Sequence, residues 1–342
     1  MKNNMFEECK ICLNSTNNPT ISINKNGLCR VCELYQRNFN EQNLRKELAL
    51  LRSFIGSGKG KYDAMVGVSG GKDSTATLYT IKQMGFTPLA FTLDIGYYPK
   101  HIVKRAKRVA HALGVDFAAI DIKKEIKKQD LISYEKTAAL FEEKDSAELR
   151  SEFFRSYVEE KEHYSVKSKG SHSFVRTCRL CRHTVVPAYY REAVKRGVKV
   201  IVLGINEWAG LSQSKKSKRF VISGIRKLQP STKRPPVYVV HLPFILQRKI
   251  SDVRRILKIL GWKKPLGEKL IETNANSCLF ARAAESKAKR LLGFHPDSTR
   301  LSREVTVGFI TKKQARQALA KVHRSKYSVR QVLTRAGTIR PK

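Results

Sequence analysis

What this 342-residue chain most lacks is negative charge: 29 Asp and Glu stand against 67 Lys and Arg, a net charge of +38. No acid falls between Glu207 and Asp252, a span with ten Lys or Arg, and none follows Glu304, where ten more occur. Self-repulsion of that size works against a compact state unless a polyanion is a partner. Nucleic acid therefore leads, ahead of an anionic membrane surface or a generally basic proteome. Long hydrophobic runs are missing too. None approaches the roughly 20 residues of a membrane span, and the N-terminus has no apolar signal-like segment, so no membrane partner is expected and the chain reads as cytoplasmic. Its 41% hydrophobic content still supplies a sizeable core for two or three units.

Two familiar nucleotide loops are also absent. The stretch Val66-Gly67-Val68-Ser69-Gly70-Gly71-Lys72-Asp73-Ser74-Thr75 has Val66 where a Walker A loop needs Gly and Asp73 where it needs Ser or Thr. Nor is it a dinucleotide fingerprint. What it does have is an apolar run that breaks into glycines, a lysine and hydroxyls before a helix-like segment. Glycines let backbone approach an anion, the N–H groups and helix dipole face it, and Lys72 adds a mobile charge. The stretch reads as strand, phosphate loop and helix N-terminus.

Around it, strands predicted at 63–68, 88–94, 115–120, 198–203 and 237–242 alternate with helices. The helices are expected up to residue 84 and at 101–113, 187–196, 251–260 and 277–292, and more weakly at 312–322 and 328–335. Residues 132–162 read as helix-rich and 213–236 as a long basic loop. The alternation predicts an α/β, doubly wound parallel sheet, with ligands beyond the carboxyl ends of the strands. Residues 69–74 lie at one such end and Asp94 at the next. The expected division is 1–40, a zinc ribbon; 41–60, a linker helix and Gly-rich tether; 61–250, the domain of the phosphate loop; and 251–342, a helical basic C-terminal region.

Seven cysteines divide into four and three. Cys9-x-x-Cys12 and Cys29-x-x-Cys32 match the four-thiolate zinc ribbon, in which Zn²⁺ substitutes for a core too small to stand alone; disulfides are disfavoured without a secretion signal. Cys178-x-x-Cys181 and the distant Cys278 could be a redox pair, part of a metal site or small buried side chains.

Residues 69–74 resemble the SGGxDS signature of the PP-loop ATP pyrophosphatases, which cleave ATP to AMP and pyrophosphate while adenylating a carbonyl-type oxygen. With Cys178 and Cys181 followed by a helix, a hydrophobic strand and Gly204-Ile205-Asn206, the chain further resembles the tRNA 2-thiocytidine and 2-thiouridine synthetases of that superfamily. The resemblance implies an adenylating, pyrophosphate-releasing sulfurtransferase that uses ATP and Mg²⁺. Ser69, Gly70, Gly71, Lys72, Asp73, Ser74, Asp94 and Gly204 would hold the nucleotide. Cys178, Cys181 and Cys278 would hold a [4Fe–4S] cluster, leaving one iron open. Lys72, Asp73, Cys178 and Cys278 would be catalytic, with tRNA as RNA partner, a cysteine desulfurase or free sulfide as sulfur donor, and a homodimer compatible. A persulfide relay on two of these cysteines is the alternative chemistry.

The chain departs from that pattern at Glu207, where the synthetases carry aspartate. Leu301-Ser302-Arg303-Glu304 with Gly308-Phe309-Ile310-Thr311 instead resembles N-acetyl-sugar amidotransferases, which also carry a cysteine ribbon. An amidotransferase or thioamide-forming enzyme acting on a small molecule or sugar therefore stays open. So does an RNA-binding ribbon protein without catalysis.

Overall fold

The computed structural model describes residues 6–160, 162–163, 170–213, 220–264 and 271–341. The basic cluster Lys215, Lys216, Lys218 and Arg219, expected to contact RNA, lies outside them. Among the described residues the strands are β1 (Ala64–Gly67), β2 (Pro88–Asp94), β3 (Phe117–Asp121), β4 (Val200–Leu203), β5 (Gly210–Gln213), β6 (Phe220–Ser223), β7 (Ile225–Leu228) and β8 (Val237–His241). Six form one sheet in the order β3-β2-β1-β4-β8-β7, all neighbours parallel except β7 on β8; β5 and β6 pair separately as an antiparallel ribbon. The chain runs outward from β1 through β2 to β3, then returns to β1's other side with β4. That reversal opens a crevice at the carboxyl ends of β1 and β4.

Uninterrupted apolar runs form the central strands β1, β2 and β4 because both faces of the sheet are covered there; the edge strands β3 and β7 are partly exposed. The helices run α1 (Arg30–Asn38), α2 (Glu41–Arg52), α3 (Lys72–Gln83), α4 (Lys100–Ala112), α5 (Lys128–Glu142), α6 (Ala147–Glu159) and α7 (Thr177–Lys195). They continue as α8 (Leu242–Ile245), α9 (Ile250–Ile259), α10 (Leu279–Leu292), α11 (Ser298–Thr306), α12 (Lys312–Ala320) and α13 (Val329–Arg335). Ala64, Val66 and Ala90 face Leu51 of α2, Leu78 and Ile81 of α3, and Ala106 and Ala110 of α4. Met65, Leu89 and Phe91 face the opposite core, with Tyr134 of α5, Leu180 of α7, Phe280 of α10 and Leu333 of α13. No helix among the described residues is long and apolar enough to cross a membrane.

The first and last parts of the chain share a third core. Cys9, Cys12, Cys29 and Cys32 pack with Val253 and Leu257 of α9, Leu301 and Val305 of α11, and Ala315 and Ala318 of α12. Lys312 Nζ donates to the Cys9 carbonyl at 2.6 Å, and Arg316 pairs with Glu8 at 2.5 Å. The ribbon segment thus shares a core with α9, α11 and α12, whereas α10 and α13 pack on the sheet. α2 is likewise no free tether: Asn40 caps it and Leu51 is fully buried.

Three further expectations are corrected. Part of 213–236 is strand, because β7 adds to β8 as an edge and β6 pairs with β5. The helix expected from residue 187 begins at Thr177, with Pro187 in its interior. Proline usually marks a first turn; here the helix tolerates it, and the earlier start puts Cys178 and Cys181 near the beginning of the helix. α11 has no counterpart among the predicted helices.

Candidate active site

β1 ends at Gly67 and α3 begins at Lys72, with Gly71 as an N-cap that offers no side-chain acceptor. The first-turn N–H groups are thus left for an anion. Gly70 has φ +70°, and a Cβ there would lie 2.6 Å from Arg105 Cγ and 2.9 Å from Ala106 N of α4. Gly204, just beyond β4, approaches α3 so closely that a Cβ would lie 2.9 Å from the Asp73 carbonyl. Both positions require glycine. The loop is also tied internally: Ser69 N–H donates to Ser74 Oγ at 3.2 Å, Gly71 N–H to Ser69 Oγ at 3.3 Å, and Ser74 Oγ to the Gly71 carbonyl at 3.1 Å. Trp262 Nε1–H reaches the Gly70 carbonyl at 3.3 Å.

These residues form one wall of a cavity of about 370 Å³; Thr92, Tyr98, Arg105, Tyr189, Trp262 and Thr273 help to form the rest. The volume falls in the range of small-ligand sites. Lys72 Nζ pairs with Asp73 Oδ2 and sits 5.3 Å from the centre of the Phe309 ring. Asp73 Oδ1 is buried without a partner. A buried carboxylate oxygen with an open valence beside a phosphate loop fits a Mg²⁺ ligand. Asp94 does not line the cavity; its Oδ1 accepts the Gly96 N–H at 2.7 Å and so shapes the turn after β2.

α11 brings charge close to Lys72 and Asp73, though none of its residues lines the cavity. Arg303 pairs with Glu207, and Arg300 with Glu304 at 2.6 Å. Burial raises the pKa of both carboxyls, against the pull of these arginines and, for Glu304, of Lys72. His241 Nδ1–H donates to the Glu207 carbonyl at 2.8 Å, and burial pushes its pKa down to about 4, so it is neutral near pH 7.

The two cysteine sets are differently built. The four N-terminal sulfurs are buried and lie within 4.8 Å of one another, the only such group among the described residues. Asn14 Nδ2 donates to Cys29 Sγ at 3.2 Å, Asn14 N–H to Cys12 Sγ at 3.5 Å, and Cys29 N–H to Cys9 Sγ at 3.4 Å. Compact thiols met by donors fit a tetrahedral metal. In the second set, Cys178 is the second residue of α7, Cys181 follows about one turn later, and Cys278 is the N-cap of α10. Cys178 is exposed, the other two half-buried. Tyr98, a wall of the cavity, is raised far above the usual tyrosine range by burial first and then by Cys278, Tyr189, Cys178 and Cys181. None of the three lines the cavity, but Ser277, next to Cys278, and Tyr189, on the helix that carries Cys178 and Cys181, do.

Residues 63–163, which contain the loop, match the family model of the queuosine biosynthesis protein QueC. The chain itself has a mixed α/β fold with a mostly parallel central sheet, the fold class expected from its sequence. It is similar, at 23% identity over 92% of its length and 93% of the relative's, to an uncharacterised protein of Methanocaldococcus jannaschii. Among solved structures it is similar to the U34-tRNA thiolase NcsA of Methanococcus maripaludis with its [4Fe–4S] cluster (13% identity, 98% of this chain and 100% of that one, TM-score 0.33). It is also similar to an NH3-dependent NAD synthetase of Campylobacter jejuni (11% identity, TM-score 0.24), which matches 48% of this chain and spans 56% of that one.

Beside the PP-loop, the structure places residues that the sequence reading passed over: Arg105 and Trp262 touch the loop, Tyr98 and Tyr189 line the cavity, and Arg300 joins Glu304 beside it. Arg105 had a usable signal. It falls three residues after the buried Ile102, on the same side of α4, which marks it as an inward-turned cation.

Proposed function

We propose that this protein is an AMP-forming, ATP-dependent sulfurtransferase that adenylates a nucleobase carbonyl oxygen of a folded RNA, tRNA above all, and replaces that oxygen with sulfur. The observation that carries the reading is the shared wall: Tyr189 of α7, the helix that carries Cys178 and Cys181, and Ser277, next to Cys278, line the same cavity as the phosphate loop. An activated carbonyl in the cavity is then beside thiol chemistry.

In this scheme the carbonyl oxygen attacks the α-phosphorus of ATP and pyrophosphate leaves. Sulfide sulfur then attacks the same carbon and AMP departs with the original oxygen. The loop amides and the first turn of α3 orient the phosphates, and Lys72 offsets their developing charge. Mg²⁺ on Asp73 would supply further phosphate neutralisation. Thiolates from Cys178, Cys181 and Cys278 would hold a [4Fe–4S] cluster, whose fourth iron supplies an open position for sulfur. Tyr98, Tyr189 and Trp262 enclose the reacting carbon and exclude water. The N-terminal cysteines hold Zn²⁺ in a structural role.

The test is anaerobic turnover with ATP, an unmodified tRNA transcript and sulfide, followed by nucleotide analysis and mass spectrometry of nucleosides. AMP, pyrophosphate and a product heavier by the oxygen-to-sulfur exchange are expected; ADP and orthophosphate as the nucleotide products would overturn the reading. A second reading is favoured by α11, whose Leu301-Ser302-Arg303-Glu304 reaches the site through Arg303–Glu207. On that reading the protein inserts nitrogen or sulfur into a small molecule or sugar. It predicts AMP formation without RNA.

A further inference from the structure

α4 carries two faces with different duties. Ile102, Ala106 and Ala110 are buried, and Arg105 joins the wall of the PP-loop cavity. On the outside, His101, Lys104, Lys107, Arg108 and His111 line one concave surface patch. Spaced at three and four residues, they form a single stripe down the helix, about 15 Å long at 1.5 Å per residue.

As a solvated surface this stripe is badly designed. α4 contains no acid, and its first turn places Lys100 and His101 at the positive end of the helix dipole. Lys104–Arg108 and Lys104–Lys107 are like-charge neighbours, each costing a few tenths of a kcal/mol. Lys104, Lys107 and Arg108 have no ion-pair or side-chain hydrogen-bond partner among the described residues. The carboxylate of Asp116 lies near enough to feel His111, but it is already paired with Lys61. A run of cations kept without counter-charges is explained by an anion that arrives from outside.

We propose that the outer face of α4 is a phosphate track along which an RNA strand runs into the ATP site. This rests on the RNA-directed reading above and adds a location that neither acid-poor segment of the sequence contains. The track starts level with the loop, since the residue between Lys104 and Ala106 is the one against Gly70. Its length spans several phosphates of a duplex, whose axis carries one charge per about 1.7 Å. An anionic lipid surface fits less well. Membrane-surface helices insert apolar side chains beside their cations, whereas no large apolar side chain of α4 is exposed.

The experiment measures binding of an unmodified tRNA transcript against salt concentration for three proteins. These are the wild type, the triple variant K104A/K107A/R108A, and a control that loses the same charge elsewhere, K25A/K144A/K195A. Loss of three phosphate contacts should flatten the log affinity against log salt slope by about 2 to 3 and weaken binding roughly 100-fold at 0.1 M salt. The control should change far less. Thermal midpoints of all three should agree, which establishes that the variants are folded. Equal losses in both variants mean that net charge alone acts, and overturn the track. Salt-dependent binding in the wild type that the α4 variant retains also overturns it, while leaving the RNA reading intact. If the wild type ignores the transcript, the RNA reading itself falls and takes the track with it. Should it instead bind phosphatidylserine vesicles through these three residues, the stripe is a membrane contact.

Discussion

The two cysteine sets are a natural contrast within one chain. The N-terminal four are buried, close together, met by amide donors and set in a core with three C-terminal helices. The other three lie near the starts of two helices, and Cys178 is in contact with solvent. Four thiolates around one ion satisfy its coordination and leave no position for chemistry; three thiolates beside a cavity leave room for it. One set holds structure together, the other stands where a substrate could reach it.

The contrast can be broken by exchanging the expected consequences. Cys29→Ser should cost several kcal/mol, because structural metal affinity is folding free energy, and a chelator should do the same to the wild type. Cys178→Ser should leave the thermal midpoint within about 2 °C and abolish thiolated product. Calorimetry beside product analysis checks both, and a large midpoint loss in Cys178→Ser would erase the distinction.

Next in size, Lys72→Ala should slow cleavage between the α and β phosphates by about 100- to 1000-fold, as loss of an oriented charge-stabilising group does. Iron and zinc contents should stay as in the wild type, so the assay separates the loop from both cysteine sets. Metal analysis of anaerobically prepared Cys278→Ala sharpens the contrast further: it should lose most of its iron and keep its zinc. Retention of iron would mean that the three-cysteine site is drawn wrongly.

The smallest effect is a pH dependence. Burial lowers the folded pKa of His241 to about 4, against about 6.5 unfolded. The unfolded chain therefore binds the extra proton first, and this contribution to stability, full above about pH 6.5, is lost as pH falls toward 4. Denaturant titrations from pH 7 to 4.5 should show a shallower decline in His241→Gln than in the wild type. Identical slopes would show that another group dominates.

How much of this could be read in advance follows from how local each feature is. The PP-loop was legible because its glycines answer to contacts within a strand–turn–helix unit, and β2 because its apolar run is bounded by Pro88 and Asp94. α11 was not: its Ser-Thr-Arg-Leu-Ser-Arg-Glu-Val-Thr sequence is mostly polar, and it is held by Leu301 and Val305 against a ribbon far away in sequence. Pro187 hid the start of α7 for a different reason, since a proline is a stronger local stop than the opening turn before it is a start. Asp94 sits at the carboxyl end of a strand, as a ligand contact should, but its carboxylate is used by the turn at Gly96. Strand-end position names candidates; only geometry separates those that face the cavity from those that fold the loop.

The core shared by Cys9, Cys12, Cys29, Cys32 and α11 has a consequence for biosynthesis. The cysteine knuckles leave the ribosome well before their α11 partners, which are made roughly 270 residues later, an interval of about 15–55 s at typical synthesis rates of about 5–20 residues per second. For that time the nascent segment has its ligands but not its packing, and early metal capture would keep its thiols from oxidation until the last helices arrive.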